Sequence, residues 1–253
     1  GANAAAFPYD PCTTPCPTFA GKTNQYYVDS VSGDDATAGN DGRGSVARPR
    51  KTLPGLANGD WRLRAGEQVF ITANSEFFSG DVDTFVEAQG EPDAVCWIVG
   101  VGGRPKFAGD KFFVSGQHLI IDHILFERQG GMRVKFGSGF NQTHVRYATL
   151  RHCVFDGLGT GANAAIGGSG NSDQQRTSFV CIYKNVIRNL GDWDRQDKAG
   201  KDRHGIQMTA YTDHWWIVEN EVFHCEGDSV QINTSSQADG DYARRPHYIY
   251  VAG

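Results

Sequence analysis

His204-Gly-Ile-Gln-Met-Thr-Ala210 and Asp228-Ser-Val-Gln-Ile-Asn-Thr234 carry one alternation of residue types at an offset of 24 residues. Ile206 and Met208 fall where Val230 and Ile232 fall, and Gln207 falls on Gln231. Successive side chains of a strand point to opposite faces. The apolar set therefore faces inward in both segments, and the two glutamines share the outer face. Taken as neighbouring strands of a stack, the pair also sets His204 beside Asp228.

A longer repeat surrounds this one. His118-Leu-Ile-Ile-Asp-His123-Ile-Leu-Phe126, Val145-Arg-Tyr-Ala-Thr-Leu-Arg-His152-Cys-Val-Phe155, Val180-Cys-Ile-Tyr-Lys-Asn185-Val-Ile187 and Trp216-Ile-Val-Glu-Asn220-Glu-Val-Phe223 each read as an apolar strand, a His or Asn, and a second short apolar run. The marked residues step by 29, 33 and 35, and a fifth copy starts at His247-Tyr-Ile-Tyr-Val251. Repeats of this length bury their apolar face only by stacking on one another. The pattern predicts an all-β chain: a right-handed parallel β-helix solenoid whose coils rise about 4.8 Å each. The His/Asn column reads as one structural row of turn residues, since Asn tolerates left-handed geometry and bonds its neighbours. Trp215 and Trp216 are adjacent in a strand, so one points in and one out.

Residues 1–60 read as an irregular N-terminal cap, Pro-rich at first, with a strand at Tyr26-Tyr27-Val28, a polar loop over 29–48 and a short helical turn from Lys51 to Asn58. Residues 61–253 read as the coils, lengthened by inserted loops at 156–177, 190–203 and 235–246. The last copy stops at Gly253, so the solenoid is expected to be truncated at its C-terminal end and to continue, in further sequence or in stacked copies.

Composition narrows the class. With 32 Gly, 15 Phe and only 2 Met, short β-forming runs punctuated by turn residues dominate. A net charge of −5 lacks the basic excess of a nucleic-acid binder. No apolar run is long enough to span a membrane. The chain opens Gly1-Ala2-Asn3-Ala4 without the charged and apolar regions of a signal peptide, so an exported protein would be seen here in mature form. The six cysteines, Cys12, Cys16, Cys96, Cys153, Cys181 and Cys225, are even in number. At least one disulfide is expected, with Cys12–Cys16 able to close a local loop, and with it a secreted or cell-surface location.

Tyr26-Tyr-Val-Asp-Ser30 with Gly33-Asp34, followed by Pro49-Arg-Lys-Thr-Leu53, resembles the entry segment of secreted right-handed β-helix proteins of the pectate-lyase-like superfamily. Val95-Cys-Trp-Ile-Val-Gly-Val-Gly-Gly-Arg-Pro105 resembles their first full coil, and Asp202-Arg-His-Gly-Ile-Gln207, Trp216–Asn220 and Gly227–Ile232 resemble their generic repeat. The resemblance covers about residues 25–253. It implies the fold more than the activity, because the superfamily holds polysaccharide lyases, glycoside hydrolases, epimerases and adhesins.

The densest candidate site is the loop Asp192-Trp-Asp-Arg-Gln-Asp-Lys-Ala-Gly-Lys-Asp-Arg-His204. β-Elimination from a uronic acid polymer needs a carboxylate neutralised and an alpha proton removed, tasks suited to Arg, Lys and His. Lys201, Arg203 and His204 are the catalytic candidates. Trp193, Arg195, Gln207 and Gln231 are placed for substrate binding. Asp202, Glu226 and Asp228 could offer oxygens to Ca²⁺, which the resemblance also implies. The expected function is binding or cleaving an acidic polysaccharide, with the protein as a possible lyase. The alternative is a non-catalytic surface or fibre protein, favoured by the absence of a Lys after Asp228, where some of those lyases place their base.

Overall fold

The computed structural model describes residues 6–54, 60–77, 84–108, 111–127, 134–137, 144–160, 164–192, 203–233 and 245–253. Among them the chain is all-β, with one short 3₁₀ turn at Asp173–Gln175. No helix is long and apolar enough to cross a membrane. Residues 51–54, part of the expected helical turn, are not helical.

Strands numbered in chain order fall into three columns, and every pairing between them is parallel. The first column holds β1 (Gln25–Val28), β3 (Gln68–Thr72), β6 (Cys96–Val101), the second half of β8 (Phe112–Asp122), β11 (Val145–Arg151), β14 (Thr177–Tyr183), β17 (Thr212–Val218) and β20 (His247–Ala252). The second holds β2 (Asp60–Arg64), β5 (Thr84–Gln89), the first half of β8, β10 (Val134–Phe136), β13 (Ala164–Gly168), β16 (His204–Met208) and β19 (Val230–Ile232). The third holds β4 (Glu76–Phe77), β7 (Lys106–Phe107), β9 (Leu125–Glu127), β12 (Val154–Thr160), β15 (Val186–Leu190) and β18 (Glu221–Cys225). From β2 onward the chain visits second, first and third column in unchanging order. Parallel strands need a long crossover, normally a helix. Here the crossover is made of strands of the other columns.

Stacking puts like on like. Val69, Ile98, Ile121, Leu150, Ile182 and Ile217 form one inward row. Phe77, Phe107, Phe126 and Phe155 form another, with successive ring centroids 5.1, 5.9 and 4.9 Å apart. Trp215 is the inward tryptophan, fully buried, and its indole lies over Gly168: a methyl on Gly168 would sit 2.2 Å from the ring. Trp216 is the outward one and meets Phe7 edge-on at 5.5 Å.

The corners are left-handed. His118, Tyr147, Phe179, His214 and Tyr248 have φ of 52–56° and are skipped by the strand register. Such a backbone costs a non-glycine residue roughly 1–2 kcal/mol. Their rings stack at 4.7, 4.9, 4.6 and 4.7 Å, and an aromatic pair is worth roughly 0.5–1.5 kcal/mol. The ring ladder offsets much of the strain, a return glycine could not give.

The expected single His/Asn row is two rows. Arg151 pairs with Tyr183, so His152 is level with Lys184, and Cys153 with Asn185. His123, His152, Lys184 and Glu219 form a left-handed corner row, with φ of 50–58°. One residue later lies a buried ladder: Asn185 Oδ1 accepts the Cys153 N–H at 2.9 Å, and Asn220 Oδ1 accepts the Asn185 N–H at 2.9 Å. Two consecutive residues of one turn have separate tasks, and the sequence alignment merged them.

At the start of the first column, the polar loop folds over the free edge of β1. Tyr27 donates its N–H to the Arg43 carbonyl, and Arg50 donates to the Tyr27 carbonyl. The loop carboxylates Asp29, Asp34 and Asp35 are tied to neighbouring N–H and hydroxyl groups. Residues 6–20 lie along the outer face of the first column. Phe7 touches Tyr147 and Trp216, Tyr9 donates its hydroxyl to the Tyr147 carbonyl, and Phe19 packs on Tyr27 and Phe70. A second apolar cluster of Phe70, Trp97, Val99 and Ile120 is buried beneath this segment. All six cysteines are free, and the expected Cys12–Cys16 loop is not formed: Cys16 Sγ lies by the Pro17 carbonyl and Cys12 Sγ faces Cys181.

Candidate functional site

The register read from the sequence holds in the second column. Ile206 pairs with Val230, Gln207 with Gln231 and Met208 with Ile232. Gln207 Nε2 donates to Gln231 Oε1 at 2.5 Å, so the two expected substrate-binding amides bond to each other. His204 and Asp228 are neighbours as expected, with Nδ1 3.7 Å from Oδ2, beyond hydrogen-bond reach. The Asp228 backbone N–H donates to His204 Nδ1 at 3.1 Å. That nitrogen is therefore an acceptor, and the ring carries its proton on Nε2. His204 is only 3% exposed, which keeps its ring from a polymer outside. Arg203 Nε lies 3.7 Å from Glu226 Oε2, both largely covered, so Glu226 already faces a cation rather than an open Ca²⁺ position. Lys201, Asp202, Trp193 and Arg195 lie outside the described residues.

A different cluster has the geometry of a reactive site. The end of β8 and the end of β11 are level, so Asp122 pairs with Arg151 across the two parallel strands. Asp122 is 1% exposed. Its Oδ2 accepts Arg151 Nε at 2.7 Å, and its Oδ1 takes His123 Nδ1 at 2.5 Å and His152 Nδ1 at 2.9 Å. Burial works against ionisation of Asp122, but hydrogen bonds from His123, Arg151 and His152 and the charge of Arg151 outweigh it and hold the carboxyl down to about 2. Arg151 is 3% exposed, stacks over Trp97 at 5.2 Å and donates Nη1 to the Pro11 and Cys12 carbonyls. The N-terminal segment thereby closes the back of the cluster.

The two imidazoles face the other way. Their side chains are 45% and 30% exposed, and their ring centroids are 5.0 Å apart. A neutral imidazole that donates its Nδ1–H to a carboxylate presents a lone pair on Nε2. The left-handed corner row is what lets two successive strands of the first column present histidines side by side. Around them stand Tyr183, edge-on to His152 at 5.8 Å, Arg104, whose Nε donates to the His152 carbonyl at 3.0 Å, and Lys184, the next corner residue. Another Asp-His pair, Asp213 and His214 at 2.7 Å, is less free, because His214 is stacked between Phe179 and Tyr248.

Asp122, His123 and His152 are also the one group among the described residues with the compactness of a metal site. Two imidazoles suit a transition ion such as Zn²⁺ better than Ca²⁺, which takes oxygen ligands. With both Nδ1 atoms committed to Asp122, the outward Nε2 atoms would be the ligands and the carboxylate their orienting partner. Arg151 beside Asp122 disfavours a cation on the carboxylate itself.

Sequence reasoning read His123 and His152 as turn residues. The usable signal was the adjacency of Asp122-His123 and Arg151-His152 at one coil step. That spacing brings a carboxylate, a buried guanidinium and two imidazoles together once β8 and β11 pair. Comparison with models of known families, with curated proteins and with solved structures returned no match.

Proposed function

We propose that the three columns wind as a right-handed parallel β-helix solenoid of the pectate-lyase-like kind, exported by its cell, and that its His123/His152 corner acts on an acidic polysaccharide by β-elimination. The observation that carries this reading is the pair of outward imidazoles held by Nδ1 on one buried, ionised carboxylate. In this reading Nε2 of one imidazole removes the proton alpha to the uronate carboxylate, the carbon–oxygen bond beta to that carboxylate breaks as the carbon–carbon double bond forms, and the leaving sugar oxygen takes a proton from water. The resulting imidazolium is stabilised by Asp122, as a buried carboxylate does in other Asp–His pairs. Arg104 stands on the same corner to neutralise the uronate, and beside it Lys184 is held by Glu219, Nζ to Oε2 at 3.2 Å. His204, the base expected from the sequence, is left to a packing role.

The test is incubation with a panel of uronic acid polymers, following absorbance of the unsaturated product with and without a chelator. Activity that falls at least 100-fold in His123→Ala and His152→Ala, with circular dichroism unchanged, supports the reading. Binding without product on any polymer would instead support the non-catalytic surface or fibre protein. Neither binding nor product on any polymer removes the polysaccharide reading.

A further inference from the structure

Four of the six thiols are committed to the backbone of their own surroundings. Cys96 Sγ lies 3.1 Å from the Arg64 carbonyl, Cys153 Sγ 3.2 Å from that of Arg151, Cys225 Sγ 3.6 Å from that of Phe223, and Cys16 Sγ 3.6 Å from that of Pro17. Cys12 and Cys181 instead face each other, Sγ to Sγ, at 3.8 Å across 169 residues. Cys181 is fully buried in the outward-facing row of β14, and Cys12 is half-buried in the turn of the N-terminal segment that crosses above it. We propose that Cys12 and Cys181 are the two halves of a reversible disulfide that fastens the N-terminal segment to the outer face of the first column.

A disulfide needs its sulfurs at about 2.05 Å. The remaining closure falls on the turn at Cys12, which belongs to no strand, while β14 is fixed by neighbours on both sides. The contact is also polarised. The S–H···S contact lowers the Cys12 thiol, while the same contact and burial raise that of Cys181. Cys12 is therefore the thiolate that reacts first, and the less buried of the two. With a small disulfide such as oxidised glutathione, the Cys12 thiolate attacks one sulfur and releases one glutathione thiolate. Cys181 then gives its proton to solvent and attacks Cys12 Sγ. The second glutathione leaves as thiolate, so two protein thiols are oxidised as one glutathione disulfide is reduced. The bond would sit between the aromatic anchors Phe7 and Tyr9 on one side and Phe19 on the other. It would also pin the Cys12 carbonyl that Arg151 Nη1 grips at 3.2 Å.

The test equilibrates the whole chain with oxidised and reduced glutathione, quenches in acid, alkylates, and maps peptides without reduction. The expected product is a Cys12–Cys181 linked peptide. Cys181→Ser should accumulate glutathione on Cys12, whereas Cys12→Ser should leave Cys181 unmodified. Protease cleavage between residues 13 and 20 should release the fragment carrying Cys12 from oxidised wild type at least tenfold less on non-reducing than on reducing analysis. A Cys12–Cys16 link, or Cys12 and Cys181 alkylated as fully as in the reduced protein, overturns the proposal.

Discussion

Replacing Asp122 with Asn tests the buried cluster at its centre. The amide keeps the shape and one acceptor but removes the charge that Arg151, His123 and His152 converge on. The carboxyl sits at about 2 against an ordinary 3.8. At about 1.4 kcal/mol per unit, the ionised form contributes about 2 kcal/mol to the folded state. Because the folded value lies below the unfolded one, this contribution is complete above about pH 4 and is lost as pH falls through about 2. Leaving Arg151 buried without its counter-charge adds to the cost, so a total loss of about 3 kcal/mol is expected at pH 7. Urea denaturation of both proteins from pH 7 to pH 2 measures it. The wild type should be the more stable by about 3 kcal/mol at pH 7, with the gap narrowing by about 2 kcal/mol between pH 4 and pH 2. Other carboxylates held low, such as Asp213 and Asp156, titrate in both proteins and cancel. A gap that stays constant down to pH 2 would refute the ionised carboxylate as the anchor of the histidines.

Asn185→Ala should cost about 3 kcal/mol in urea denaturation, because it strips partners from the buried Cys153 N–H and Leu150 carbonyl. Gly168→Ala should lower Tm by about 3–10 °C, since the methyl meets the Trp215 indole and overpacking costs roughly 1–3 kcal/mol.

The sequence showed the stack where its signal was local and strictly alternating. β16 and β19 are short strands without a corner inside them, so a period of two sets both face and register, and Gln207 meets Gln231 as read. The first column was harder, because left-handed corners interrupt its strands and take almost any residue type. His152, Lys184 and Glu219 share one conformation with no shared chemistry. The same indifference hid the site: His152 and Lys184 are equivalent, yet Asn185 looked like the partner of His152. Residues 6–20 have no period at all. Their contacts with Tyr147, Arg151 and Cys181 lie about 140–170 residues away and exist only once the column is built. The charged loop before His204 drew attention by density, whereas the Asp122 cluster is assembled from two unremarkable dipeptides.

Fold and site both depend on distant segments meeting in one fixed register. Cysteines placed at Gln207 and Gln231, oxidised mildly and located by peptide mapping, test it most directly. Level neighbours in adjacent strands have the spacing of a disulfide. The account predicts a 207–231 link in high yield and little from the pair 207 and 230, whose side chains point to opposite faces. Equal yields from both pairs, or none from the first, would contradict it.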